Sequence, residues 1–313
     1  MLQNFLVCLN AVVPLILYLV VGMLIRKFNI LTEKDVRKFN RMVFVAFFPA
    51  LMFENLYSAD ISESFDLPLI IGACLFVLVV FGTAWVLVCR IEPNDRSRGA
   101  MIQAIYRSNF VLMGLPVAEN VFGHGNVSST AALIMFIVPL YNVLAVVLLE
   151  YFRGGKANLR DVAKKVATNP IILGAVAAIV AIVLHIHVPE AINDTISGMC
   201  NATTPMAMIL LGASFQFSSV KGNPRNLAIC VSGRLLVVPA VGLTLATLLG
   251  VRGVELVSLI AMLAAPPAVS SYTMAEAMDS DGELAGNAVI FATPLSCITM
   301  FLWLFLFKSL GMF

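Results

Sequence analysis

Charge is scarce in this sequence. Asp, Glu, Lys and Arg make up 12% of its 313 residues, against 60% hydrophobic, and the mean hydropathy is +0.95. An ordinary water-soluble domain carries about twice that charged share. Lipid is therefore the expected solvent for most of the chain, and no nucleic-acid partner is expected.

Histidine is scarcer still, with 3 in the chain. His185 and His187 stand beside Pro189 without further ligands near them, so they read as a solvated turn rather than a metal site. The six cysteines, Cys8, Cys74, Cys89, Cys200, Cys230 and Cys297, are scattered through apolar stretches with no paired spacing, which reads as small buried hydrophobes.

Catalytic signatures are missing as well: there is no His-Glu-x-x-His and no Gly-x-Ser-x-Gly. Asp281-Gly282-Glu283-Leu284-Ala285 resembles the start of a lipid-head-group transferase motif, but Gly286 stands where that motif needs Arg and no Asp follows Asp281. No enzyme activity and no cofactor are expected. The first apolar stretch also has no positive segment before it and no small-residue cleavage site after it, so it is expected to be kept as a helix.

What the sequence has in abundance is long apolar runs. A bilayer core of about 30 Å needs about 20 apolar residues per helix. Ten such stretches are expected, near 4–25, 36–57, 67–89, 99–122, 128–151, 169–187, 193–215, 226–249, 254–278 and 284–307. The runs are continuous and twice the length of the alternating segments in a membrane barrel, which makes the expected fold all-α.

Basic residues mark one set of connections. Arg26, Lys27, Lys34, Arg37, Lys38 and Arg41 surround the first; Arg90, Arg96 and Arg98 the third; Arg153, Lys156, Arg160, Lys164 and Lys165 the fifth; Lys221 and Arg225 the seventh. The even-numbered connections hold only Arg252. By the positive-inside rule the odd connections are cytoplasmic and both termini lie outside. The ninth connection, 279–283, has no Lys or Arg and is silent on orientation. A cysteine introduced at Gly123, in the fourth connection, is expected to react with an external thiol reagent.

Prolines point to an internal repeat. Pro14, Pro49, Pro116 and Pro139 pair with Pro170, Pro205, Pro267 and Pro294 at offsets of 156, 156, 151 and 155 residues. Residues 1–151 and 169–313 then form two five-helix repeats joined by a basic linker, 152–168. Because five is odd, the second repeat enters the membrane from the opposite side, and the two must be inverted. Asn169-Pro170 reads as the N-cap and first position of the sixth helix.

The fourth and ninth stretches carry breaks. Gly114 and Pro116 weaken the fourth near its middle, and Pro266-Pro267 removes two consecutive donors from the ninth. Non-helical backbone at membrane depth belongs where it is buried in protein or lines a watery cavity, and paired interruptions in corresponding repeats mark a transport site. Half-helix N-termini there suit a carboxylate.

Ser108 and Asn109 stand beside the first break, and Ser270, Ser271 and Tyr272 beside the second. They are suited either to an anionic substrate or to freed carbonyls. Arg107 is a candidate for drawing an anion inward, and Glu54 and Glu276 could titrate in proton coupling. Glu54 and Glu276 read more simply as near helix ends, and Arg234 as a snorkelling side chain. Asn142, Thr203 and Thr204 read as packing residues.

Asn109-Phe110 with Gly114-Leu115-Pro116, Asn169-Pro170-Ile171-Ile172-Leu173-Gly174, Thr204-Pro205 with Leu211-Gly212, and Pro266-Pro267-Ala268 with Ser270-Ser271 occur in the order and spacing of a known family. The chain resembles the auxin efflux carriers, whose bacterial members include malonate and other organic-acid permeases. The resemblance implies broken helices four and nine crossing at mid-membrane, a scaffold from helices one, two, six and seven, and elevator-like movement. It also implies a carboxylate substrate near Asn109, Gly114, Pro116, Pro266 and Pro267, with Ser270 and Ser271 beside them, and a homodimer through the scaffold. Unlike the plant auxin exporters, this chain has no long hydrophilic central loop, which makes auxin itself a poor substrate. The competing expectation is a bile-acid-transporter-like sodium symporter or sodium/proton antiporter.

Overall fold

The computed structural model describes residues 2–58, 66–122, 128–153, 159–215 and 223–313. Gly123, Gly154, Gly155, Lys156 and Lys221 lie outside the described residues, and with them the labelling position and residues 154–158 of the expected linker.

The described chain is helical. It runs α1 (Leu2–Lys27), α2 (Glu33–Met42), a π-helical turn (Val43–Phe47), α3 (Phe48–Tyr57), α4 (Leu67–Ile91), α5 (Asp95–Tyr106), α6 (Phe110–Phe122) and α7 (Ser128–Arg153). It continues with α8 (Leu159–Ala167), α9 (Pro170–Val183), α10 (Glu190–Ser214), α11 (Pro224–Ser232), a second π-helical turn (Gly233–Val237), α12 (Val238–Leu248), α13 (Gly253–Ala264), α14 (Ser270–Ala277) and α15 (Gly282–Ser309). Among the described residues, five rods are each long and apolar enough to cross a bilayer: 67–91, 129–153, 190–214, 224–248 and 282–309. The apolar core window of α4 is only 28% buried by protein, leaving Leu75 and Val79 exposed. A surface of that kind requires lipid, and the chain is a multi-pass membrane protein.

Local chemistry explains the helix starts. Thr32 and Asp35 form a reciprocal capping box on α2, the Asp35 N–H donating to Thr32 Oγ1 over 3.3 Å and the Thr32 N–H to Asp35 Oδ2 over 3.0 Å. Asn169 caps α9 through the Ile171 N–H at 3.0 Å, with Pro170 at the first helical position as expected. Asp281 caps α15 through the Leu284 N–H at 2.9 Å and accepts from Ser97 Oγ at 2.7 Å. Asp281, the first residue of the Asp-Gly-Glu-Leu-Ala segment, thus serves as a helix cap.

Two packing groups follow. In one, α1 lies along α10 and α3 along α9, with α10 also meeting α3. A Cβ on Gly212 would sit 2.1 Å from the Leu19 carbonyl oxygen, and one on Gly22 2.0 Å from that of Ile209. Glycine is needed at both positions because the α1 and α10 backbones touch. In the other group, α4, α5, α6, α7, α12, α13 and α15 share the largest apolar core, including Met101, Phe110, Leu133, Ile260 and Met300.

The basic connections gather on one face. Arg153 bonds Asp279 of the ninth connection through Nη2 at 2.6 Å, and the Asp281 N–H and Ser280 Oγ donate to the Arg96 carbonyl of the third at 3.2 and 2.7 Å. The ninth connection, silent in sequence, thus lies with the third and fifth.

Candidate functional site

The fourth and ninth stretches are both interrupted, and the interruptions meet. Helix α5 ends at Tyr106, Arg107 is extended, and α6 starts at Phe110. Helix α13 ends at Ala264, Ala265 is extended, and α14 starts at Ser270. Ser108 pairs antiparallel with Pro267, and the Asn109 N–H donates to the Pro266 carbonyl at 2.8 Å.

The first break therefore falls at 107–109 and not at Gly114 to Pro116, which lie inside α6. Pro266 and Pro267 leave donors missing within a segment that has a second strand-like partner to receive it, whereas Pro116 forfeits one helical bond in a helix supported by its neighbours. Gly114 serves packing: a Cβ there would lie 2.7 Å from the Phe110 ring. Pro116 lies inside a helix and Pro267 in a break, so the pairing of these two prolines at an offset of 151 does not join equivalent positions.

Each broken helix leaves carbonyls at a buried C-terminus. Arg234, projecting from the π-helical turn before α12, receives both ends. Its guanidinium donates to Ala265, Met262 and Leu263 at 2.9, 2.8 and 2.7 Å and to Ile105 and Tyr106 at 3.3 and 3.2 Å. It is fully buried, which overturns the snorkelling expectation. Its partners lie 28 to 129 residues away in sequence, so no local pattern could reveal them. A positive charge between two negative helix ends is favourable on both sides.

Arg107 is the second buried guanidinium, only 3% exposed. It donates to Asn142 Oδ1 at 2.6 Å, Gln103 Oε1 at 3.2 Å and Met274 Sδ at 2.9 Å. Asn142 is held in turn by the Val138 carbonyl at 2.9 Å. None of these three partners is a carboxylate, so the charge is solvated by dipoles and not neutralised.

Arg107, Ser108, Asn109, Asn142 and Ser270 line a cavity of about 80 Å³ at the crossing, together with Asn55, Thr203 and Thr204. Val111, Leu112 and Ser270 bring the first turns of both half-helices, α6 and α14, to its wall. Ser271 is turned away, 1% exposed, and its hydroxyl has no hydrogen-bond partner among the described residues. Tyr272 lies below the cavity, not on it. Thr203 Oγ1 donates to the Met199 carbonyl in its own helix at 2.8 Å.

Helix α10 measures the path along the site. Thr204 also lines a wider cavity of about 820 Å³, shared with Asn10, Pro14, Pro116 and Glu119, which opens toward the even-numbered connections. One turn farther, Ala207, Met208 and Leu211 pack with Leu15, Leu19, Val269 and Tyr272 in a dry cluster, each at most 4% exposed. Beyond it, Ser214 and Phe215 line a small cavity with Arg37 and Glu276 near the basic face. Asn55 and Thr204 thus line both the crossing cavity and the wider one, while the dry cluster lies toward the basic face. Glu54 takes no part in it: its carboxylate accepts from Ser58 and Ser197 at 3.1 and 2.9 Å. The Glu276 side chain lies over Gly282, where a Cβ would fall 2.2 Å from Oε1.

The model of the membrane transport protein family matches residues 7–159 and 154–304. A Methanocaldococcus jannaschii protein named as an uncharacterized transporter is 25% identical over 94% of this chain and 97% of its own. A Methanothermobacter thermautotrophicus protein of the same description is 24% identical over 94% of this chain and 96% of its own. Matched along nearly its whole length, this polytopic chain with its interlocked helix breaks belongs to the membrane transport proteins of the auxin efflux carrier family.

Proposed function

We propose that this membrane transporter is a secondary active carrier of small organic anions, mono- or dicarboxylates, of the malonate-type permease branch, working by elevator-like alternating access. The observation that carries this reading is Arg107, buried at the crossing on the wall of the 80 Å³ cavity with amide and thioether partners but no carboxylate. A carboxylate entering the cavity would supply the missing charge and would lie beside the positive N-terminal ends of the half-helices α6 and α14. Asn109 and Ser270 would add neutral donors, which bind an anion without repelling it.

On this reading the chain has ten spans in two inverted repeats, 1–151 and 169–313, linked by 152–168. Helices α1, α3, α9 and α10 would form the fixed scaffold, and the group carrying both breaks would slide against it as one body. The dry cluster around Met208 and Tyr272 would act as the seal that must open on the other side. With the basic face cytoplasmic, both termini lie outside the cell membrane, and the coupling ion is a proton or sodium. A homodimer through the scaffold is the corresponding assembly. The bile-acid-transporter-like alternative, with a sodium site at the crossing itself, is disfavoured by a cation on the wall of the cavity.

Counterflow in proteoliposomes against a panel of mono- and dicarboxylates, with sodium and pH varied, tests the proposal. Exchange of at least one carboxylate, lost in Asn109→Ala with expression intact, is expected. No exchange of any carboxylate, or uptake unchanged in the variant, overturns the substrate class or the site respectively.

A further inference from the structure

The basic face holds a second cavity, of about 610 Å³, within the range of about 300–1,000 Å³ typical of small-ligand sites. Four arginines line it, Arg37, Arg41, Arg96 and Arg153, together with Glu276 and Asp279. Two of the four are already committed to carboxylates: Arg37 to Glu33 at 2.8 Å, and Arg153 to Glu150 and Asp279 at 3.2 and 2.6 Å. Arg41 and Arg96 have no ion pair among the described residues.

The backbones that carry these two arginines are nonetheless fixed. The Arg96 carbonyl accepts from Ser280 Oγ and the Asp281 N–H at 2.7 and 3.2 Å. Next to Arg41, the buried Asn40 amide donates to the Thr273 carbonyl at 3.1 Å. Two exposed guanidiniums without an ion pair line one cavity, and each offers its planar fork of donors to an oxyanion there.

We propose that this cavity binds a phosphate-bearing anion, either the headgroup of an acidic phospholipid or a soluble phosphate compound. Phosphate matches these guanidiniums better than a single carboxylate, because several oxygens can engage both of them while Asp279 remains paired with Arg153. Phe44 and Val45 line the same cavity, and Val45 is 50% exposed, with Met42 and Phe39 exposed on the same rod. This apolar edge beside an arginine fork suits a lipid with its chains in the bilayer. Arg41, Phe44 and Val45 belong to the α2–α3 rod, whereas Arg96, Arg153 and Asp279 belong to the group carrying the breaks. An occupant would therefore bridge the two groups and oppose their sliding; that consequence rests on the alternating-access reading, but binding does not.

The test needs no transport assay. Full-length protein purified in neutral detergent is titrated with phosphatidylglycerol, with inorganic pyrophosphate and with phosphatidylcholine, reading the melting temperature and, for the lipids, adducts by native mass spectrometry. A saturable rise in melting temperature with phosphatidylglycerol or pyrophosphate, but not phosphatidylcholine, is expected, and which probe acts identifies the source. Arg41→Gln/Arg96→Gln should abolish the rise, and Arg90→Gln, outside the cavity, should keep it. Arg41→Lys/Arg96→Lys retains charge but not the fork, and should raise the half-saturating concentration roughly tenfold. No rise in the wild type, an undiminished rise in the Gln pair, or a Lys pair equal to wild type overturns the proposal.

Discussion

Arg107 and Arg234 sit at the same crossing, both buried from solvent, and differ in what surrounds them. Arg234 meets five main-chain carbonyls, the C-terminal ends of α5 and α13. Every one of those oxygens exists because a helix was broken, so the guanidinium completes the fold. Arg107 meets two side-chain amide oxygens and a thioether and lies on a cavity wall. Its hydrogen bonds hold it in place, but its charge remains available. Equal burial thus hides opposite duties, and the chemistry of the partners separates them.

Replacing each arginine should break the protein in a different way. Arg234→Ala has the largest expected effect. Hydrogen bonds to a charged group contribute about 1.5–3 kcal/mol each, and the carbonyls left behind are buried. Loss of several kcal/mol should abolish folded protein, read as disappearance of the monodisperse peak in size-exclusion chromatography. A normal peak would mean that the two breaks hold without their shared cap.

Arg107→Gln comes next. The neutral amide keeps hydrogen bonding to Asn142 or Gln103 within reach, so the melting temperature should fall by only a few degrees. Carboxylate counterflow should fall on the order of 100-fold or more, because the charge facing the substrate is gone. If folding is lost and Arg234→Ala folds normally, the assignment of duties is reversed.

A paired substitution sharpens where the breaks lie. Pro267→Ala restores a helical donor inside the crossing and should reduce turnover roughly tenfold or more, whereas Pro116→Ala lies within an existing helix and should change it by about twofold or less. Equal losses would place both prolines in breaks. The smallest expected effect is at the solvent-exposed cap of α2, far from either arginine. Thr32→Ala should lower the melting temperature by about 2 °C or less at neutral pH. The Thr32 hydroxyl and backbone N–H hold the Asp35 carboxyl below its ordinary range. That contribution is complete above the ordinary aspartate pKa and disappears as pH falls through the lower folded value, so wild type and variant should converge in acid.

Much of this protein was legible without coordinates. Apolar run length gave the helical membrane class, because a bilayer requires every backbone group to be satisfied within its own segment. Short-range side-chain chemistry gave Asn169-Pro170 as a helix start. Pro266-Pro267 marked one break correctly, since two missing donors in succession cannot be absorbed by a helix. The other break was misplaced at Gly114 and Pro116. Nothing in Arg107-Ser108-Asn109 forbids a helix locally; those residues leave it because Pro266 and Pro267 offer a backbone partner some 157 residues away.

The sequence by itself determined the solvent, the helices and the presence of ionisable groups within them, because hydropathy, helix period and capping act over one or two turns. Only the tertiary structure decided which of those groups does what. It moved the first break to Arg107–Asn109, set Arg234 across two helix ends, left Arg107 facing a cavity, and gathered Arg41 and Arg96 from separate connections onto one face. Those outcomes depend on which carbonyls and carboxylates come within hydrogen-bonding distance, a property of packing between segments far apart in the chain.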